Sequence, residues 1–292
     1  LLVIPILGLM VGGSFSPELL DRAGHWWISL AAMTGYVVVV TAAVLAYLRR
    51  TAGFDPVSAY FSAAPGGLTV MILTGGAMGG DERLISLIHV LRIVLIVLLV
   101  PVAFRLLSSY EGGNGLGGLT SADEMTPAGV LGMLAAALGG IGLARLIRMP
   151  TPALTGPMVL FGVLHLGGVA ESSPPAELIM LAQWVMGSSI GARFSDIPLG
   201  RLVTVLGHAL AVTAIMLATA TGLALLLAET TDLAAPALLL AFVPGGLVEM
   251  SLISLALDAD PAFVAAHHFY RILLVVLAAP LVFKWMGMKN TQ

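Results

Sequence analysis

Pro65-Gly66-Gly67-Leu68 returns 179 residues later as Pro244-Gly245-Gly246-Leu247, and the register does not slip on either side of it. Downstream, Asp81 meets Asp260, His89 meets His268, Arg92 meets Arg271, Pro101 meets Pro280 and Phe104 meets Phe283. Sixteen of the forty positions from 65 to 104 are identical at this offset without a gap. Upstream, Gly8, Gly12, Phe15 and Ser16 match Gly187, Gly191, Phe194 and Ser195. A two-fold repeat in an apolar chain is a signature of membrane folds whose ligand site forms between the two halves.

Composition fixes the surroundings. Hydrophobic residues make up 59% and charged residues 10%, with a mean hydropathy of +1.03. Soluble domains carry about 25% charged residues, so the chain reads as an all-α integral membrane protein whose first partner is the lipid bilayer. A net charge of -3 argues against nucleic acid, which needs clustered Lys and Arg. With no cysteine there is no disulfide framework, thiolate metal site or Cys nucleophile. The 34 glycines suit helices that approach closely in lipid.

Apolar runs long enough to span lie near 27–48, 83–107, 130–148, 177–193, 200–228 and 261–286, with shorter runs at 1–13 and 152–168. Two further apolar stretches, 57–80 and 236–258, carry Pro-Gly-Gly at their centres and are expected to break there. Thr155-Gly156-Pro157 marks another expected break. The organisation that follows is a first repeat over 1–107, a polar linker over 108–129 and a second repeat over 130–292. The second repeat begins near Val130, and 130 minus 179 is -49, so two N-terminal helices of the first repeat are expected to be missing.

Basic residues follow alternate spans: Arg49-Arg50, Arg145 with Arg148, Arg193 with Arg201, and Lys284 with Lys289. Placing them in the cytoplasm works if each Pro-Gly-Gly stretch is a re-entrant hairpin. Each complete repeat then has five spans, and the two repeats are inverted. A broken helix that crosses the membrane is the other arrangement the sequence allows.

Irregular backbone at membrane depth persists only where protein or a water-filled cavity surrounds it. Pro65, Gly66, Gly67, Pro244, Gly245 and Gly246 are therefore candidate site residues, although Pro-Gly-Gly also simply kinks packed helices. Amides freed at such breaks favour an anion. Asp81 and Asp260 precede the last helix of each repeat, and capping accounts for both. Arg92 and Arg271 lie eleven residues further on, roughly 16 Å along a helix, near the bilayer midplane, where an unpaired guanidinium costs several kcal/mol. Each needs a carboxylate, backbone carbonyls or a hydrated cavity, either as a lock on the helix or as part of a site. His89 and His268 sit three residues earlier on the same faces. Glu249 breaks the symmetry, since the first repeat has Val70 there. It is a candidate proton-coupling group or partner for an arginine, and Thr69 and Ser251 offer hydroxyls nearby. No His/Glu spacing resembles a metal motif and no Gly-rich nucleotide loop follows a strand, so neither metal nor cofactor is expected, and an enzyme is not.

The doubled Pro-Gly-Gly-Leu, with Asp260, Arg271 and Pro280 following Glu249, resembles the AbrB family of bacterial inner-membrane proteins, across the whole chain. Members are labelled ammonia monooxygenase or regulator of gene expression, and the family is distinct from the small DNA-binding protein of the same name. The second repeat fits the pattern better, because Thr69-Val70 replaces the Glu-containing version in the first. The resemblance implies a multi-pass protein of the bacterial inner membrane. Together these observations lead to a secondary transporter for a small organic anion, with a coupled proton or cation and a midplane site between the two hairpins. The alternative is a membrane-embedded sensor that regulates gene expression indirectly. A homo-oligomer is left open.

Overall fold

The computed structural model describes residues 3–15, 24, 26–107, 125–149, 151–170, 174–192, 199–257 and 259–287. Those residues form helices only, without a strand. In chain order they are α1 (Ile4–Gly12), α2 (Trp27–Arg50), α3 (Pro56–Ala63), α4 (Leu68–Ala77), α5 (Glu82–Leu107), α6 (Pro127–Leu146), α7 (Pro152–Leu166), α8 (Ala176–Ala192), α9 (Leu199–Thr230), α10 (Ala235–Phe242), α11 (Leu247–Ala256) and α12 (Pro261–Trp285). The 179-residue offset carries α3 onto α10 and α4 onto α11 with identical boundaries, and it carries the start of α5 onto that of α12.

Among the described residues, five helices are long and apolar enough to cross a membrane: Trp27–Arg50, Glu82–Phe104, Pro127–Leu146, Val203–Thr230 and Pro261–Trp285. The expected run at 177–193 becomes α8, which has 17 residues, a length of about 26 Å, at the lower limit for a span. Outward faces are apolar at helical spacing, as with Leu131, Leu134 and Leu138 on α6, which suits lipid as the surrounding solvent. The chain is a membrane protein.

Local sequence explains where the helices start. Asp55 accepts from the amides of Val57 (3.0 Å) and Ser58 (2.9 Å) ahead of Pro56. Asp81 caps α5 through Arg83 and Leu84 at 2.9 and 3.1 Å, and Asp260 caps α12 through Ala262 and Phe263 at 3.0 and 3.1 Å. Both aspartates therefore act as caps. Thr126 caps α6 by accepting from Gly129 (3.1 Å), so this helix begins at Pro127, ahead of the expected Val130. Residues 108–124 of the expected linker lie outside the described residues.

The helices gather into two compact units, each drawing on both halves of the chain. One contains α1, α6, α7 and α8, with residues 251–265. Its close contacts run through glycine: a Cβ on Gly8 would sit 2.5 Å from the Leu154 carbonyl oxygen, and one on Gly12 2.6 Å from that of Met158. A Cβ on Gly140 would lie 2.6 Å from the backbone of Gly156. The Thr155-Gly156-Pro157 segment is consequently a point of close helix approach. The expected break is absent, because α7 runs through it from Pro152 to Leu166. Pro157, sixth in this helix, withholds the one amide that would reach the Ala153 carbonyl, and the helix continues past that single missing bond.

The other unit contains α2, α3, α4, α5, α9, α10, the start of α11 and most of α12. Its core joins Val57, Tyr60 and Phe61 of α3, Met71 of α4 and Ile85 of α5 to Val275, Ala279 and Phe283 of α12. The Phe61 and Phe283 rings stand 5.4 Å apart, and Tyr60 donates its hydroxyl to the Ala279 carbonyl at 3.0 Å. The broken segment of the first repeat is thus packed on the last helix of the second.

Candidate functional site

Both Pro-Gly-Gly segments are non-helical, over 64–67 and 243–246. In each, the first glycine donates its amide to the carbonyl two residues back, Gly66 to Ala64 at 2.8 Å and Gly245 to Val243 at 2.9 Å. Proline is at the centre of both tight turns. Helix resumes when Met71 bonds Gly67 and Met250 bonds Gly246, both at 3.0 Å. None of these glycines has a positive φ; their role is to leave space. A Cβ on Gly66 would meet Val275 Cγ1 at 2.8 Å and Met71 Sδ at 3.0 Å, and one on Gly245 would meet Met250 Cε at 2.7 Å. Gly67 faces Ile272, whose Cγ2 would be 3.9 Å from a Cβ there.

The two histidines share one task. His89 Nε2 lies 2.8 Å from the Phe61 carbonyl, and His268 Nε2 lies 2.9 Å from the carbonyl of Leu240, the residue equivalent to Phe61. A carbonyl only accepts, so each Nε2 carries the proton and each Nδ1 of a neutral ring is an acceptor. Each bond fastens the last turn of a broken helix to the helix that carries the arginine.

The arginines differ. Arg271 donates from Nη1 to the Val243 carbonyl (3.0 Å), and from Nη2 to the Gly245 carbonyl and His268 Nδ1 (both 3.1 Å). It straps α12 to the second break. Arg92, only 2% exposed, has no hydrogen-bond partner at Nε or Nη1, and His89 Nδ1 is likewise buried without one. The two guanidiniums lie within electrostatic reach of each other, and Tyr36 is within reach of both. Tyr36 donates to the Met216 carbonyl at 3.4 Å and packs edge-on against Phe242, 5.7 Å between centroids.

Residues 271–275 of α12 therefore touch both breaks: Arg271 holds the second, while Ile272 and Val275 face Gly67 and Gly66. The structure brings Pro65, Gly66, Gly67, His89, Arg92, Pro244, Gly245, Gly246, Glu249, His268 and Arg271 into one compact unit. Glu249 does not pair with Arg271. It stands in the first turn of α11, half-buried, and turns back to bond its own amide over Gly246, where a Cβ would collide with its Oε2. Thr69 points outward and is exposed. Ser251 is buried, in the unit that holds α7. Among the described residues, no three His, Cys, Asp or Glu side chains gather as a metal site requires. Sequence reasoning missed Tyr36 and Ser62, a second buried hydroxyl, which has no partner at Oγ. Their signal was a polar atom inside an apolar helix.

Over 288 residues the chain is 24% identical to the uncharacterized protein YhjN of Bacillus subtilis (strain 168), covering 94% of this chain and 75% of that one. It is 25% identical to the "Putative regulator AbrB" of Escherichia coli (strain K12), covering 97% of this chain and 81% of the relative. No solved structure matches it. The family described as "Transition state regulatory protein AbrB" matches residues 1–287, and this membrane protein belongs to that family.

Proposed function

We propose that the chain is a secondary transporter of a small organic anion, built from two inverted repeats whose broken helices meet at the bilayer midplane. One observation carries the reading: two buried guanidiniums beside paired helix breaks, one of them without a partner at Nε and Nη1. Holding that charge at membrane depth costs several kcal/mol, and a transient anionic ligand offsets the cost. The amides that open α4 and α11 add positive potential at the same place. Rocking of the two repeats around this site then gives access from alternate sides. In this reading Glu249 is the candidate carrier of a coupled proton, the protein sits in the bacterial inner membrane with several passes, and it is not an enzyme.

A second reading takes the relative named a regulator as its starting point. There the same site senses the anion and passes its occupancy to a partner. Proteoliposomes separate the two. The carrier reading expects uptake of radiolabelled small carboxylates, driven by an imposed pH or cation gradient and absent from empty liposomes. Binding without flux under every gradient would contradict it and favour the sensor.

A further inference from the structure

We propose that the His89–Arg92 pair of the first repeat recognises a 2-hydroxy carboxylate, taking its carboxylate on Arg92 and its hydroxyl on His89 Nδ1; the assignment rests on the carrier reading. The two repeats encode the same pair, and only the second closes it on itself. There Arg271 Nη2 donates to His268 Nδ1 at 3.1 Å and to the Gly245 carbonyl, and Nη1 donates to the Val243 carbonyl. That pair is spoken for within the protein.

The first pair is open. Arg92 presents buried N–H groups at Nε and Nη1 that lack an acceptor. His89 donates through Nε2 to Phe61, so Nδ1 of the neutral ring is a lone pair that lacks a donor. A ligand matching both must accept from a cation and also donate to a neighbouring nitrogen. A simple carboxylate meets only the first requirement. A carboxylate with a hydroxyl on the adjacent carbon meets both, and the two groups that would hold it stand three residues apart on one helix face. Ser62 reinforces the asymmetry. It follows Phe61, its Oγ is buried without a partner, and the second repeat has Ala241 in its place. Of the buried side-chain atoms without a partner, Ser62 Oγ, His89 Nδ1 and Arg92 Nε and Nη1 lie on α3 and α5, Thr41 and Thr213 add one hydroxyl each on α2 and α9, and in the second pair only Arg271 Nε is unpartnered.

The test uses the purified chain in detergent and calorimetric titration with three acid pairs that differ by one hydroxyl: glycolate and acetate, lactate and propionate, malate and succinate. At least one hydroxy acid is expected to bind about ten-fold tighter than its partner, the effect of leaving one buried acceptor unpaired. In His89→Phe that ratio should fall to near one, while Arg92→Lys should weaken both members. Equal binding within all three pairs, a hydroxyl preference that survives His89→Phe, or binding of no acid would each overturn the assignment. The wild-type comparison decides even if a variant fails to fold. Equal binding combined with anion flux in liposomes overturns only this assignment, whereas absence of all anion flux removes the carrier reading beneath it.

Discussion

Arg271→Gln is expected to destabilise the folded protein by about 3 kcal/mol or more, because each buried acceptor left unpaired costs about 1–3 kcal/mol. Three bonds disappear together, to the Val243 and Gly245 carbonyls and to His268 Nδ1. The carbonyls belong to non-helical backbone in an apolar setting, where an unsatisfied group has no water to turn to. Glutamine is too short and has too few donors to restore the fork, and lysine, a point charge without fixed geometry, should recover only part of the loss. Denaturant titration in micelles, followed by circular dichroism, checks this. Unchanged stability in Arg271→Gln would mean that the strap is not what holds the second break.

Arg92→Gln is expected to do the reverse: little or no loss of stability, with anion transport lowered at least about 100-fold. Two charge-assisted bonds to a ligand contribute about 1.5–3 kcal/mol each, which sets the size of the binding loss. The folded chain loses nothing comparable, because Nε and Nη1 bond no protein atom. Removing a buried unsatisfied charge even relieves strain on the fold. Flux in proteoliposomes and unfolding in micelles should be measured on the same preparation. A variant that transports like the parent, or that unfolds as Arg271→Gln does, contradicts the division of labour between the two arginines.

Much of the architecture was legible in the sequence because it depends on local chemistry. Proline and glycine dictate the breaks at 64–67 and 243–246, and the aspartates at 81 and 260 cap the helices that follow. The constant offset reappears as identical boundaries for paired helices. Side-chain partnerships were not legible, because they depend on which elements meet in space. Glu249 is the nearest carboxylate in sequence to the second break, yet in the first turn of α11 it bonds its own amide and not Arg271. Thr69 has the right spacing and faces outward. Gly156-Pro157 has the composition of a break, but its glycine serves contact with Gly140 and the helix continues. Nor does any pattern tell Arg92 from Arg271, since both sit in the same motif.

Inversion of the two repeats around the breaks is the central claim, and cysteine labelling tests it most directly. The native chain has no cysteine, so single substitutions report without background. Thr51 and Thr230 are equivalent at the 179-residue offset, and both are exposed at the ends of α2 and α9. Thr51→Cys and Thr230→Cys should be labelled by a membrane-impermeant maleimide from opposite sides of oriented inner-membrane vesicles, Thr51→Cys from the cytoplasmic face. Labelling of both from the same side would contradict the inverted arrangement and the midplane site built on it.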